Sequence, residues 1–158
     1  MLPLLALVLA SAASAPTAVS LEDDLAAHTT LFAAHAEGAQ IYECKADKTG
    51  ALAWSFREPI ASLLVDGKTT GRHYAGPHWA LDDGSIVQGK VQATAPGATD
   101  ADIARLKLAV VEHQGAGALS GASLVYRLNT HGGTLSGSCS TAGVLKSVAY
   151  SADYVFAK

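Results

Sequence analysis

The chain has 158 residues, a formal net charge of −3 and no block of Lys or Arg. That length predicts one domain. The missing basic footprint excludes nucleic acid as a partner and argues against an anionic membrane surface. With only 3 Phe and 2 Trp, the core must be assembled mainly from Ala, Val and Leu. A domain of this size buries enough surface to fold without a dense cysteine framework.

Residues 1–15 are uncharged. An apolar run from Leu2 to Ala10 leads into small residues with two Ala-x-Ala sites, Ala10-Ser11-Ala12 and Ala13-Ser14-Ala15. This is the pattern of a secretory signal peptide. It falls short of the roughly 20 apolar residues needed to cross a bilayer. The expectation is a signal over 1–15 and a single mostly-β domain over 16–158, secreted or periplasmic, with no membrane span in the mature chain. Two cysteines in an exported chain usually pair, which predicts a Cys44–Cys139 bond. The alternative, a reactive thiol, needs an electropositive setting that neither segment advertises.

Ser20 and Asp23 form a capping-box pattern, so a short helical turn is predicted at 20–27. A strand follows at 29–36, where Thr29-Thr30-Leu31-Phe32 is β-branched and aromatic. Glu37-Gly38 is read as a turn into a second strand at 39–45. Asp47-Lys48-Thr49-Gly50 is a turn by composition. Leu52 to Phe56 reads as a strand broken by Glu58-Pro59, and Ala61 to Val65 as another, closed by Asp66-Gly67. Asp82-Asp83-Gly84-Ser85 is a hairpin signal. After it, Val87, Val91 and Ala93 alternate with Gln88, Lys90 and Gln92. Leu106, Leu108 and Val110 alternate within a predicted strand at 103–113. Gly115 to Gly121 is a flexible connection. A strand at 123–130 places Leu124, Tyr126 and Leu128 on one face. A last strand at 147–157 places Tyr150, Ala152, Tyr154 and Phe156 together at a period of two. Short strands separated by turns predict an all-β fold, an antiparallel sandwich or barrel-like single domain with at most one or two helical turns.

Several separated segments carry a resemblance. They are Glu37-Gly38-Ala39-Gln40-Ile41-Tyr42-Glu43-Cys44, Gly71-Arg72-His73-Tyr74-Ala75-Gly76-Pro77-His78-Trp79, Asp83-Gly84-Ser85, Tyr126-Arg127-Leu128-Asn129-Thr130-His131-Gly132-Gly133, Cys139, and Tyr150 to Phe156. In this order the chain resembles the secreted bacterial and fungal family catalogued as domain of unknown function 3455, from about Thr29 to Phe156. The resemblance implies export, a β-rich domain and the cysteine pair, and brings no activity with it.

Signatures of known chemistry are missing. The glycines of Gly115 to Gly121 do not fit a dinucleotide fingerprint. No phosphate loop, nucleophile elbow or His-Glu-x-x-His occurs. Six histidines are present, His28, His35, His73, His78, His113 and His131, without metal-ligand spacing. No metal or cofactor is therefore expected. The segment from Gly71 to Trp79 crowds imidazole, phenol and indole around a Gly-Pro bend, which suits ligand contact. His73, Tyr74, Trp79 and, beside Tyr154, Asp153 are the candidate ligand-binding residues. Core packing of Tyr74 and Trp79 is the competing explanation. Two functions stay open. One is a non-catalytic binding or structural module for an unknown small molecule or surface partner. The other is an extracytoplasmic enzyme using His73 with a carboxylate such as Asp153 or Glu43, with or without a metal.

Overall fold

The computed structural model describes residues 19–158, so the expected signal segment at 1–15 lies outside the described residues. A short helix α1 (Leu21–Ala26) precedes eight strands: β1 (Thr30–Ala46), β2 (Leu52–Val65), β3 (Lys68–Tyr74), β4 (His78–Leu81), β5 (Ile86–Ala95), β6 (Arg105–Gln114), β7 (Leu124–Gly132) and β8 (Leu145–Ala157). Each strand pairs antiparallel with the next, and β8 returns to pair with β1. The sheet therefore closes into an up-and-down barrel, the second of the two architectures expected. Closure leaves no open sheet edge.

The helix forms where the capping residue predicts it. Ser20 Oγ accepts from the Asp23 amide at 3.1 Å, satisfying one of the orphan donors of the first turn. Leu21 and Leu25 then pack on the outer surface of the barrel against Tyr126, Leu128, Leu124 and Val155. Asp24 fixes this docking. It accepts from the Tyr126 hydroxyl at 2.6 Å and pairs with Lys107 Nζ at 2.6 Å. Those two hydrogen bonds hold its carboxyl below the usual range.

Three expectations from the pattern are corrected. Glu37-Gly38 is not a turn, because β1 runs unbroken from Thr30 to Ala46. Gly38 sits opposite Ala61, and a Cβ there would overlap the Ile60 carbonyl. The glycine marks a close approach of two strands. Glu58-Pro59 does not end β2 either. Pairing with β3 begins only at Ala61, so Pro59 lies where β2 has outrun its neighbour and no amide is needed on that side. The register shifts between Ile41 and Tyr42, where Tyr42 faces Phe56 and Ile41 faces Glu58, leaving Arg57 as the extra residue of a bulge. Finally, Ala93 does not share a face with Val87. A register shift between Val91 and Ala93 turns it outward to the helix-covered cluster.

The inner face alternates as a barrel requires. From β8 it receives Tyr150, Ala152, Tyr154 and Phe156, all buried, as the period of two predicts. From β1 and β2 it receives Ala34, Ala36, Ala61 and Leu63. Trp79 of β4 is 1 % exposed and fills the middle of the interior. It packs edge-on to Tyr154 and Phe156 at ring distances of 5.4 and 6.0 Å. Gly89 on β5 makes room for it, since a Cβ there would stand 3.0 Å from the Trp79 ring. One end of the barrel is stoppered by the loop between β6 and β7. Its Leu119 is fully buried in the same cluster. Asp83 holds that loop by accepting from the Ala118 amide at 2.7 Å, and Ser85 Oγ, which donates to Asp83 at 2.7 Å, accepts from the Leu119 amide at 3.3 Å.

At the other end Cys44, fully buried at the close of β1, is bonded to Cys139 in the loop between β7 and β8, with a Cα–Cα distance of 5.9 Å. The same loop donates a bridge, Ser138 to Ala53 of β2. The bond thus lashes the β7–β8 loop to the β1–β2 end.

Two stability outcomes follow. Replacing both cysteines by alanine is expected to cost about 4 to 5 kcal/mol, since the bond closes a loop of 95 residues in separation and removes that entropy from the unfolded chain. Denaturant titration measures it, and an unchanged midpoint would mean the loop is held by its other contacts. Trp79→Ala should cost about 3 to 5 kcal/mol through the cavity it leaves, read in the same way.

Candidate ligand-binding cavity

The connections after β1, β3, β5 and β7 gather at the end opposite the Leu119 stopper. Here the inner side chains do not fill the barrel. A cavity of about 520 Å³ remains, with Ala75, Gly76 and Pro77 of the β3–β4 turn, Ile103 and Ala104 before β6, and Thr134 after β7 around it. The Gly76–Pro77 peptide bond in that turn is cis. Phe56, Pro59, Val91, Leu106 and Leu108 supply apolar wall. Gln40, Tyr42, Arg57, His73, Trp79, Arg127 and Tyr154 supply polar atoms. The bulge in β2 brings both Phe56 and Arg57 to the lining, a re-aiming that such irregularities commonly provide.

His73 lies on the inner face of β3 and is 3 % exposed. Its ring is stacked on Trp79 at 4.6 Å and 11°, and touches Tyr154 at 4.9 Å. Its Nδ1 is 2.8 Å from the backbone oxygen of His78. A carbonyl only accepts, so Nδ1 carries the hydrogen and Nε2 holds the lone pair. Among the described residues Nε2 has no hydrogen-bond partner. Burial pushes the imidazole pKa from 6.5 down to about 4, although the His78 carbonyl works the other way. At neutral pH the ring is an uncharged acceptor.

Two neighbours on the lining are also under-satisfied. Gln40 Oε1 and Trp79 Nε1 are buried and make no hydrogen bond. Buried polar atoms without partners are uncommon and expensive. Tyr42 is satisfied, its hydroxyl donating to the Gly133 carbonyl at 2.6 Å. Tyr150 and Tyr154 share one contact, hydroxyl to hydroxyl, at 3.3 Å. Burial raises the pKa of all three tyrosines, and the charge of Arg127 partly offsets that in each. Arg127 is thus electrostatically part of the interior. Its Nε donates to the Ala104 carbonyl at 3.0 Å.

Of the residues singled out from the sequence, His73 and Trp79 come together on the cavity wall. Both are buried, so they are core and wall at once. Tyr74 alternates to the outer face, where it stacks on His78 at 5.1 Å and lies under the Arg72 guanidinium at 5.1 Å. Asp153 is also on the outer face. It accepts from His35 Nδ1 at 2.8 Å and from Asn129 Nδ2 at 2.7 Å. His35 Nε2 meets Glu37 at 2.9 Å. Hydrogen bonds to these two carboxylates, Asp153 first, raise the His35 pKa. Neither Asp153 nor Glu43 lines the cavity. Among the described residues no group of three or more His, Cys, Asp and Glu is arranged so that it could hold a metal ion.

Sequence reasoning missed Gln40, Tyr42, Arg57 and Arg127. The signal for Arg127 was present but read from the wrong side. Leu124, Tyr126 and Leu128 do share a face, yet that face looks outward to α1. Val125 and Arg127 therefore look inward.

The two histidines give opposite pH effects on stability. His73 has a folded pKa below its unfolded value, so its share of stability is complete above pH 6.5 and falls as pH drops toward 4, by about 3 kcal/mol in all. His35 has a raised folded pKa, so its share is complete below about pH 6.5 and is lost as pH rises through the folded value. Denaturant titrations between pH 4 and 8 should show the acid limb, and His73→Phe should flatten it. Parallel acid limbs in the parent and His73→Phe would assign the limb to other groups.

No curated protein matches the chain, and no solved structure matches it. A family model does, the one described as Protein of unknown function (DUF3455), over residues 25–69 and 64–158. Those residues run from the last turn of α1 to the end of β8, so the whole barrel and its cavity are covered, and the chain belongs to this family.

Proposed function

We propose that this protein is an exported, non-catalytic binding module that holds a small, mainly apolar molecule in the open end of its barrel. The observation that carries this reading is a cavity of about 520 Å³ whose wall includes buried polar atoms without partners, Gln40 Oε1 and Trp79 Nε1. Eight strands enclose an interior that side chains either fill or leave for one small ligand. Pockets of this size with apolar walls and a few polar groups are the usual form of small-molecule sites. A ligand would supply what the protein withholds: an acceptor for the indole N–H, and donors for Gln40 Oε1 and His73 Nε2.

Export is supported by the N-terminal apolar pattern and by the Cys44–Cys139 bond, which suits an oxidising compartment. No helix among the described residues is long and apolar enough to cross a membrane. The enzymatic alternative needs an acid–base pair, and no carboxylate lines the cavity beside His73.

A neutral, environment-sensitive dye tests the proposal. N-phenyl-1-naphthylamine should bind the folded, oxidised protein with one site per chain and a rise in fluorescence. Ala75→Trp, at the exposed rim, should weaken it about tenfold or more while shifting stability by no more than about 0.5 kcal/mol. Val91→Trp, half exposed on the wall, should act the same way. Absence of binding, or binding indifferent to both substitutions, would overturn the reading.

A further inference from the structure

The cavity carries two arginines and no carboxylate among its lining residues. Arg57, near the mouth, is already partly neutralised, with Glu58 Oε1 3.4 Å from its Nε. Arg127 is not. It is half-buried on the inner face of β7, and no carboxylate of the described residues lies within ion-pair distance of it. Its hydrogen bonds go to neutral groups, the Ala104 carbonyl and the Tyr154 hydroxyl. A guanidinium drawn out of water without a counter-charge is costly, and so is normally paired.

We propose that the cavity is built for a monoanionic carboxylate with an apolar body, its carboxylate received by the Arg127 guanidinium. This rests on the cavity being a ligand site and goes on to name the ligand's class. The planar fork of an arginine matches a carboxylate with two parallel hydrogen bonds. Arg127 lies across the β7–β8 register from Tyr154, so the anion would sit beside the tyrosine hydroxyls. The apolar body would lie against Leu106, Leu108, Ile103, Pro59 and Phe56. One charge is the match, because one guanidinium is free and His73 is neutral. A dianion would also press against two acceptor atoms, His73 Nε2 and Gln40 Oε1. Those two atoms fit a hydroxyl or N–H on the ligand instead.

Displacement of bound N-phenyl-1-naphthylamine separates this inference from the reading beneath it. Octanoate, octanamide and octyl phosphate share a chain and differ in head group. At pH 7 octanoate should displace the dye at a concentration about tenfold or more below that of octanamide, and below that of octyl phosphate. In Arg127→Gln the octanoate preference should fall to about onefold while the dye still binds. Arg127→Lys should retain part of it, since the charge remains but the fork is lost. If the dye binds and octanamide displaces it as well as octanoate does, the anion inference fails and the cavity reading stands. An octanoate preference that persists in Arg127→Gln also overturns it, and stronger displacement by octyl phosphate would replace the carboxylate with a phosphoryl group. If the dye never binds and neither octanoate nor octanamide shifts the melting temperature, both readings fall together. Should Arg127→Gln not fold, the parent's octanoate-to-octanamide ratio and the Arg127→Lys variant decide the matter.

Discussion

The pairing of β8 with β1 is the constraint on which everything else in this molecule depends. Once the two ends of the sheet meet, every strand acquires an inside and an outside. The inside must then be filled or left as a void. The chain has few large side chains for this task. It spends Trp79, Tyr154, Phe156 and Leu119 on one half of the interior and builds the strands around that half from alanines such as Ala34, Ala36 and Ala152. Gly38 lets β1 and β2 approach closely, and Gly89 clears the volume that Trp79 takes. Toward the other end the filling by Tyr42 and Tyr150 is incomplete, and the cavity lies there with Trp79 and Tyr154 on its wall.

Closure also explains why polar groups are inside at all. Inward positions are assigned by parity, and parity is blind to chemistry. Gln40 and Tyr42 follow Ala34 and Ala36 along β1, and Arg127 follows Val125 along β7. A fold that needed only stability would place apolar residues at such positions, because each unpartnered amide or guanidinium in a dry interior costs free energy. Local rules broken without an evident return mark functional positions more often than errors. Here most of the breaks gather in one place, with Thr130 and its unpartnered buried Oγ1 lying apart. Gln40, His73, Trp79 and Arg127 border one cavity, whereas at the stoppered end around Leu119, Leu63 and Val125 the buried polar Ser85 is hydrogen-bonded to Asp83 and to the Leu119 amide.

Much of the fold was legible in the sequence because its signals are local. The capping box at Ser20, the Asp-Gly turns at Asp66 and Asp83, and the period of two from Tyr150 to Phe156 each report on a few neighbouring residues. What was not legible depends on residues far apart in the chain. Gly38 looks like a turn until Ala61 is seen against it. Pro59 looks like a strand end until β3 is seen to stop short. The outward face of β7 looks like core until α1 covers it. Tyr74 belongs with His73 by adjacency in sequence, yet strand parity sends it to the outer surface, whereas the outward position of Asp153 follows from the inward period of Tyr150, Tyr154 and Phe156. Arg127 has no local mark that separates it from a solvated arginine. Only the position of β7 in the closed ring shows which way it points.

The two ends of the barrel are therefore specialised in different senses. The stoppered end concentrates burial and the contacts of Asp83 and Ser85 with the β6–β7 loop, and it supplies stability. The open end is surrounded by connections held by other means: the Cys44–Cys139 bond for the β7–β8 loop, and, for the β5–β6 loop, hydrogen bonds that the Asp102 carboxylate accepts from the Gly132 amide and from Thr99. Such ties matter where the interior beneath is not packed, because a loop over a void gains little from burial. A rim fixed by covalent and polar ties keeps the cavity from collapsing. Tight binding of a small molecule depends on such pre-organisation, since a rigid site need not be ordered at the moment of association. The same ties explain how His73, Gln40 and Trp79 keep unspent hydrogen-bonding capacity. On the proposed reading, that capacity is what a ligand in the cavity would meet.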